Sequence, residues 1–223
     1  MPTIVITGCD TGLGVEFARQ YAAEGHRVLA TCLNPDTAHD TRAIKGNVEV
    51  MKLDMTDHGD IAALGRHLAG APVDILVSNA GIGRPHPPFG QTDYDNWRRI
   101  LETNLIGPMK LAETLVDNIA AGELKIMAFV SSRMGSIALN NSGGSYAYRS
   151  SKAGLNMMVK GLAAELAPPQ ISVIALHPGW AATEPGGRVP VAESVSGMRG
   201  VIHRAGRHHT GIFQTYSDQP LPW

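Results

Sequence analysis

Apolar and polar positions along this 223-residue chain alternate between two patterns. Short runs rich in β-branched and apolar residues occur at Thr3–Thr7, Arg27–Cys32, Val48–Leu53, Asp74–Ser78, Lys125–Ser131, Ile171–His177 and Gly211–Tyr216. Most are apolar throughout, which predicts parallel strands buried on both faces. Between them, helical spacing covers Leu13–Glu24 (stopped by Gly25), Ile61–Leu68, Tyr94–Ala120, Tyr146–Leu166 (stopped by Pro168-Pro169) and Val191–Arg204. This strand–helix alternation implies right-handed crossovers and an α/β class: one doubly wound parallel sheet with helices on both faces. The length fits a single domain over residues 1–223.

Composition narrows the function classes. With 19 basic against 20 acidic residues the net charge is −1, so neither a nucleic-acid footprint nor a basic membrane-binding run is present. No apolar run reaches the ~20 residues of a membrane span. With the first strand beginning at Thr3, no signal peptide is expected. Cys9 and Cys32 are too few for a disulfide scaffold and read as free thiols in a reducing compartment, although they follow strands expected to be neighbours. A cytoplasmic protein is expected.

Two motifs carry chemistry. The first is the turn Thr7-Gly8-Cys9-Asp10-Thr11-Gly12-Leu13-Gly14 between the first strand and first helix. Its glycines permit a tight turn and close approach to a pyrophosphate, and the helix N-terminus offers N–H groups and partial positive charge. A merely tight turn would also use glycine, and the spacing differs from G-x-G-x-x-G. Asn79-Ala80-Gly81 after the fourth strand and Asp54-Met55 after the third favour a Rossmann-type dinucleotide site. Asp54 there can accept from an adenine amino group, or simply cap a turn.

The second motif is Tyr148 and Lys152, four residues apart on a predicted helix and so on one face. A free phenol titrates near ~10, and a neighbouring ammonium lowers that value towards neutrality. Tyr146 is a rival acid, but serine stands at position 150, where its lysine would have to be. Pro108 lies four residues after Asn104 and cannot return an N–H to that carbonyl, so the predicted helix should kink there. Ser131 and Ser132 should face opposite ways at a strand end.

These residues resemble the short-chain dehydrogenase/reductase family, in detail its C-factor and sniffer-like carbonyl reductase branch. The match runs through Thr7–Gly14, Asn79–Gly81, Asn104, Ser132, Tyr148/Lys152, and Pro178-Gly179 with Thr183. Ser131-Ser132-Arg133-Met134-Gly135, His177-Pro178-Gly179-Trp180 and Leu221-Pro222-Trp223 carry the finer likeness, and Gly8-Cys9-Asp10-Thr11-Gly12 is similar to retinol and hydroxysteroid dehydrogenases. The resemblance implies an NAD(P)-dependent oxidoreductase acting on a carbonyl or alcohol. Tyr148 would be its general acid/base, and Lys152 would tune Tyr148 and hold the nicotinamide ribose. Ser132 would bind the developing oxyanion, and Asn104 would hold a relay water. Gly8, Asp10, Thr11, Gly12, Leu13, Gly14, Leu33, Asp54, Met55, Asn79, Ala80, Gly81, Tyr148, Lys152, Pro178, Gly179 and Thr183 would line the cofactor site.

NADP users of the family place a cation near Thr11 or Leu33, and NAD users an acid after the second strand. Neither is present, and Asp36 reads as a turn residue within reach of the site. NAD is the expected cofactor, with NADP as the alternative. A homodimer or homotetramer is implied, paired through the helices bearing Asn104 and Tyr148. The competing reading is a nucleotide-binding signalling or regulatory protein with little turnover. His203, His208 and His209 have no carboxylate or cysteine at ligand spacing, so no metal is expected. The substrate is not legible, beyond an open pocket or small lid suggested by Pro185-Gly186-Gly187.

Overall fold

In a computed structural model of the chain, covering residues 1–83, 85–168, 170–183, 186–206 and 209–223, every described strand belongs to one sheet. The expectations at Pro169, Pro185 and His208 lie outside the described residues. Among those described, seven strands pair in parallel in the order β3-β2-β1-β4-β5-β6-β7. They are β1 (Thr3–Thr7), β2 (Arg27–Cys32), β3 (Val48–Lys52), β4 (Ile75–Ser78), β5 (Ile126–Val130), β6 (Ser172–His177) and β7 (Ile212–Thr215). This is the Rossmann-type sheet expected, and the strand order reverses between β1 and β4.

Alternate side chains of each strand feed two cores. Ile4 and Ile6 of β1 join Val28, Ala30 and Ile174 beneath α1 (Gly12–Ala23) and α7 (Val191–Arg204), with Phe17, Met198 and Ile202 filling the layer. Val5 faces the other way, with Leu29, Leu76 and Phe129, against α3 (His58–Leu68), α5 (Gly107–Ala121) and α6 (Tyr146–Glu165). Sandwiching on both faces is why the strands lack polar alternation. Each fully buried Phe or Leu contributes roughly 1.5–3 kcal/mol.

The predicted helix over Tyr94–Ala120 is interrupted. It forms α4 (Tyr94–Leu101), a π-helical turn (Glu102–Ile106) and then α5. Pro108, in the first turn of α5, has no N–H, and the ladder slips to the wider spacing, with Gly107 N–H donating to the Glu102 carbonyl. A Cβ on Gly107 would overlap the Met55 carbonyl, so the break also lets this segment lie tightly against the end of β3. The four-residue α2 (His39–Arg42) is too short to leave a periodic signal; Thr41 within it is buried, its hydroxyl donating to the Cys9 carbonyl.

Asp74 ties the lower edge of the sheet together. Only 7% exposed, it accepts the Thr3 N–H on one oxygen (2.7 Å), and the N–H groups of Glu123 (2.8 Å) and Leu124 (3.4 Å) on the other. Truncation strands these donors, so Asp74→Ala is expected to cost about 3 kcal/mol in denaturant unfolding. The glycine turn and Asn79-Ala80-Gly81 lie at the opposite strand ends, so binding of the expected dinucleotide by the folded fraction should be retained.

Candidate active site

The cleft opens where the strand order reverses. The turn after β1 and the loop after β4 leave the sheet together there, and side-chain hydrogen bonds hold them in register. Thr7 Oγ1 accepts the N–H groups of Asn79 and Ala80, both at 3.0 Å. The Asn79 amide donates back to the carbonyls of Thr7 (3.0 Å) and Gly8 (3.1 Å). Gly8, at φ +70°, passes so close to Ala80 that a Cβ would stand 2.7 Å from its Cα. Gly12 needs its freedom too, with φ +62° and Thr183 Cγ2 at 2.8 Å from where a Cβ would be.

A cavity of about 1180 Å³ runs from this crossing in both directions, large enough for a dinucleotide. Gly8, Asp10, Thr11, Gly12 and Leu13 form its floor, Leu33, Asp54 and Met55 one end, and Asn79, Ala80 and Gly81 its centre. Tyr148, Lys152, Pro178 and Thr183 close the other end. Two expected cofactor residues do not line it. Gly14 allows close packing of α1, since a Cβ there would overlap the Gly8 carbonyl. Gly179, at φ +75°, makes room for Tyr216. Thr11 gives α1 no side-chain cap, and its first turn has no acid, so the helix end facing the cleft is left for a phosphate. The residues present therefore fit a dinucleotide.

Lys152 projects from α6 into the protein and is 5% exposed. Its Nζ donates to the Val130 carbonyl (2.9 Å) and lies 5.9 Å from the centre of the Tyr148 ring. Burial pulls its pKa down to about 8. At pH 7 roughly nine-tenths of the population still carries the charge. Asn104, 1% exposed, sits in the π-helical turn with its amide spent on the Ile82 backbone (N–H at 2.9 Å, carbonyl at 3.1 Å) and on Ser151 Oγ at 3.1 Å. A Cβ added to Gly81 would meet Asn104 Oδ1 at 3.3 Å and Lys152 Nζ at 3.5 Å, so the Asn79-Ala80-Gly81 loop, Asn104 and Lys152 converge.

The two serines separate as strand alternation requires. Ser131 donates to Asn156 Oδ1 (2.6 Å) towards α6, whereas Ser132 Oγ accepts the Met134 N–H (3.2 Å), a bond that leaves its own O–H available as a donor. Ser131, not Ser132, borders the cavity. Asp54 lines the cleft, and its Oδ1 accepts both the N–H and the hydroxyl of Thr56 (2.8 Å each). Asp36 stays outside the cleft, its N–H bound to Asn34 Oδ1, while Asn34 and Thr37 line it. Ile82 and Thr103 also border the cavity. Ile82 follows Gly81 directly and could have been inferred, and Thr103 lies four residues after Arg99, which also lines the cavity, with its hydroxyl donating to the Arg99 carbonyl.

Among the described residues, no helix is long and apolar enough to cross a membrane and no cluster of His, Cys, Asp or Glu could hold a metal. Both cysteines are buried free thiols.

A switch-point cleft with a glycine turn, an uncapped helix end and a buried lysine defines a Rossmann-type nucleotide-binding protein. Comparison with known proteins makes this specific: the short chain dehydrogenase model matches residues 2–193, and the chain belongs to that family. It is 38% identical over 164 residues to C-signal of Myxococcus xanthus, covering 72% of this chain and 99% of that one. Carbonyl reductase Sniffer of D. melanogaster superposes with TM-score 0.91 at 27% identity over the whole of both chains. A short-chain dehydrogenase/reductase from Burkholderia multivorans, solved with bound NADP, superposes with TM-score 0.87 at 31% identity, over 100% of this chain and 99% of that one.

Burying Lys152 has a cost with a defined pH range. Its folded pKa of about 8 lies below the unfolded value, so the penalty is complete below pH 8 and disappears as pH rises to about 10.5. Lys152→Met is therefore expected to stabilise the nucleotide-free protein at pH 7, by at most about 3 kcal/mol. Thermal unfolding of both proteins at pH 7 and pH 10.5 checks this; an equal difference at both pH values contradicts it.

Proposed function

We propose that this protein is an NAD(P)-dependent oxidoreductase that interconverts a carbonyl compound and its alcohol, with NAD(H) as the working cofactor. The carrying observation is the convergence of Tyr148 and buried Lys152 at one end of a dinucleotide-sized cleft whose other end is the glycine turn. Bound nicotinamide supplies or accepts the hydride. In reduction, Tyr148 donates its phenolic proton to the carbonyl oxygen, and Ser132, in the role the family resemblance implies, would donate its O–H to the same oxygen as charge builds there. Lys152 favours the phenolate that remains and would hold the ribose hydroxyls of a bound cofactor. In oxidation the proton moves the other way.

The phenolate must recover its proton. Asn104 is pinned by its amide, and Pro108 has no N–H to offer its backbone carbonyl, which suits that oxygen to a water linking Lys152 with solvent. NAD(H) is favoured because Thr11 and Leu33, where a phosphate-binding cation would stand, are uncharged. The resemblance to a carbonyl reductase supports the substrate class. A signalling protein that only bound nucleotide would have no use for Tyr148, Ser132 and a destabilising buried lysine together.

Tyr148→Phe is expected to lower kcat about 10³-fold on a reducible carbonyl while leaving the NADH Kd within a few-fold. Retained turnover would refute the assignment. Pro108→Ala is expected to lower kcat several-fold with little change in melting temperature; unchanged kinetics would remove the water relay.

A further inference from the structure

One carboxylate in the cleft has no part in the chemistry above. Asp10 lies in the glycine turn and lines the cavity, and its two oxygens accept the N–H groups of Leu33 (3.0 Å) and Asn34 (3.1 Å), just beyond β2. Two successive N–H groups aimed at one anion form a concave site of the kind that holds phosphate. Here the chain supplies the anion itself. The loop beyond is fixed independently: the Asn34 carbonyl accepts the Thr37 N–H (3.2 Å), and Asn34 Oδ1 accepts the Asp36 N–H (3.2 Å).

Among the described residues lining the cleft the cations are Lys152 and Arg99, on α6 and α4 and not on the elements surrounding Asp10. Leu33 is 57% exposed beside the carboxylate. The field of Asp10 also reaches the nearby thiols: burial first, then Asp10, pushes Cys32 up to about 11.

Resting on the reading of this cleft as a nicotinamide dinucleotide site, we propose that Asp10 is the residue that selects NAD(H) over NADP(H). Its carboxylate occupies the N–H groups that would otherwise receive a ribose phosphate. It can accept a hydrogen bond from a ribose hydroxyl but has no hydrogen to offer a phosphate dianion, and it repels it. The acid that discriminates between the cofactors therefore comes from the glycine turn, reaching across to the end of the second strand.

The test is equilibrium binding, by calorimetry, of NADH, NADPH, 5′-AMP and adenosine 2′,5′-bisphosphate to the full chain and to Asp10→Ser and Asp10→Asn. The two variants remove the charge with and without the side-chain bulk, so one serves if the other fails to fold. The wild type is expected to bind NADH at least about tenfold tighter than NADPH, and 5′-AMP tighter than the bisphosphate. Either variant should shrink that ratio about tenfold, mainly by tightening the 2′-phosphorylated ligands. The inference is overturned if wild type binds NADPH as tightly as NADH, or if a folded variant weakens both and leaves the ratio unchanged. No binding of any of the four ligands to the wild type would instead overturn the dinucleotide reading itself, and Asp10's role with it.

Discussion

The crossing of Thr7-Gly8 with Asn79-Ala80 is the constraint on which the site depends. At a switch point two neighbouring strands send their chains to opposite faces of the sheet, and the backbone groups there lose their ladder partners. Thr7 Oγ1 and the Asn79 amide take over those bonds. Gly8 lets the two chains approach closely enough for the bonds to form, with no room for a side chain against Ala80. The opening left between the chains is the middle of the cleft.

Around that opening the structure spends stability on polar groups that a simple core would not contain. Lys152 is desolvated with the Val130 carbonyl as its hydrogen-bond acceptor, and its pKa falls to about 8. Asn104 is buried with its amide committed on both ends, which fixes the π-helical turn against the loop at Ile82. π-Helical turns survive where something outside the helix rewards them, and here Pro108 and the close contact of Gly107 with Met55 force the slip in the ladder. The broken helix places Thr103 and Asn104 beside the cleft in consecutive positions.

Much of this was visible in the chain itself, because it depends on local chemistry. The continuous apolar strands, the glycine turn and the four-residue spacing of Tyr148 and Lys152 each follow from steric or periodic rules that act over a few residues. The helix expected over Tyr94–Ala120, with a kink where Pro108 withdraws its N–H, formed as α4, a π-helical turn and α5. Pro108 announced a break, but the close approach of Gly107 to Met55, distant in sequence, was not legible. Asp54 and Asp36 were open between ligand and turn roles; Asp54 lines the cleft while its Oδ1 holds Thr56, and Asp36 stands outside the cleft in its own turn.

Spacing and residue type thus determined the strand–helix alternation, the parallel sheet and the face shared by Tyr148 and Lys152, since periodicity is a property of the local backbone. Only the tertiary structure decided that Ser131 is spent on Asn156, that Lys152 is buried, and that Asp10 reaches the N–H groups of Leu33 and Asn34. Each of these depends on segments brought together by the sheet, where burial and competing hydrogen-bond partners, rather than residue identity, assign the role.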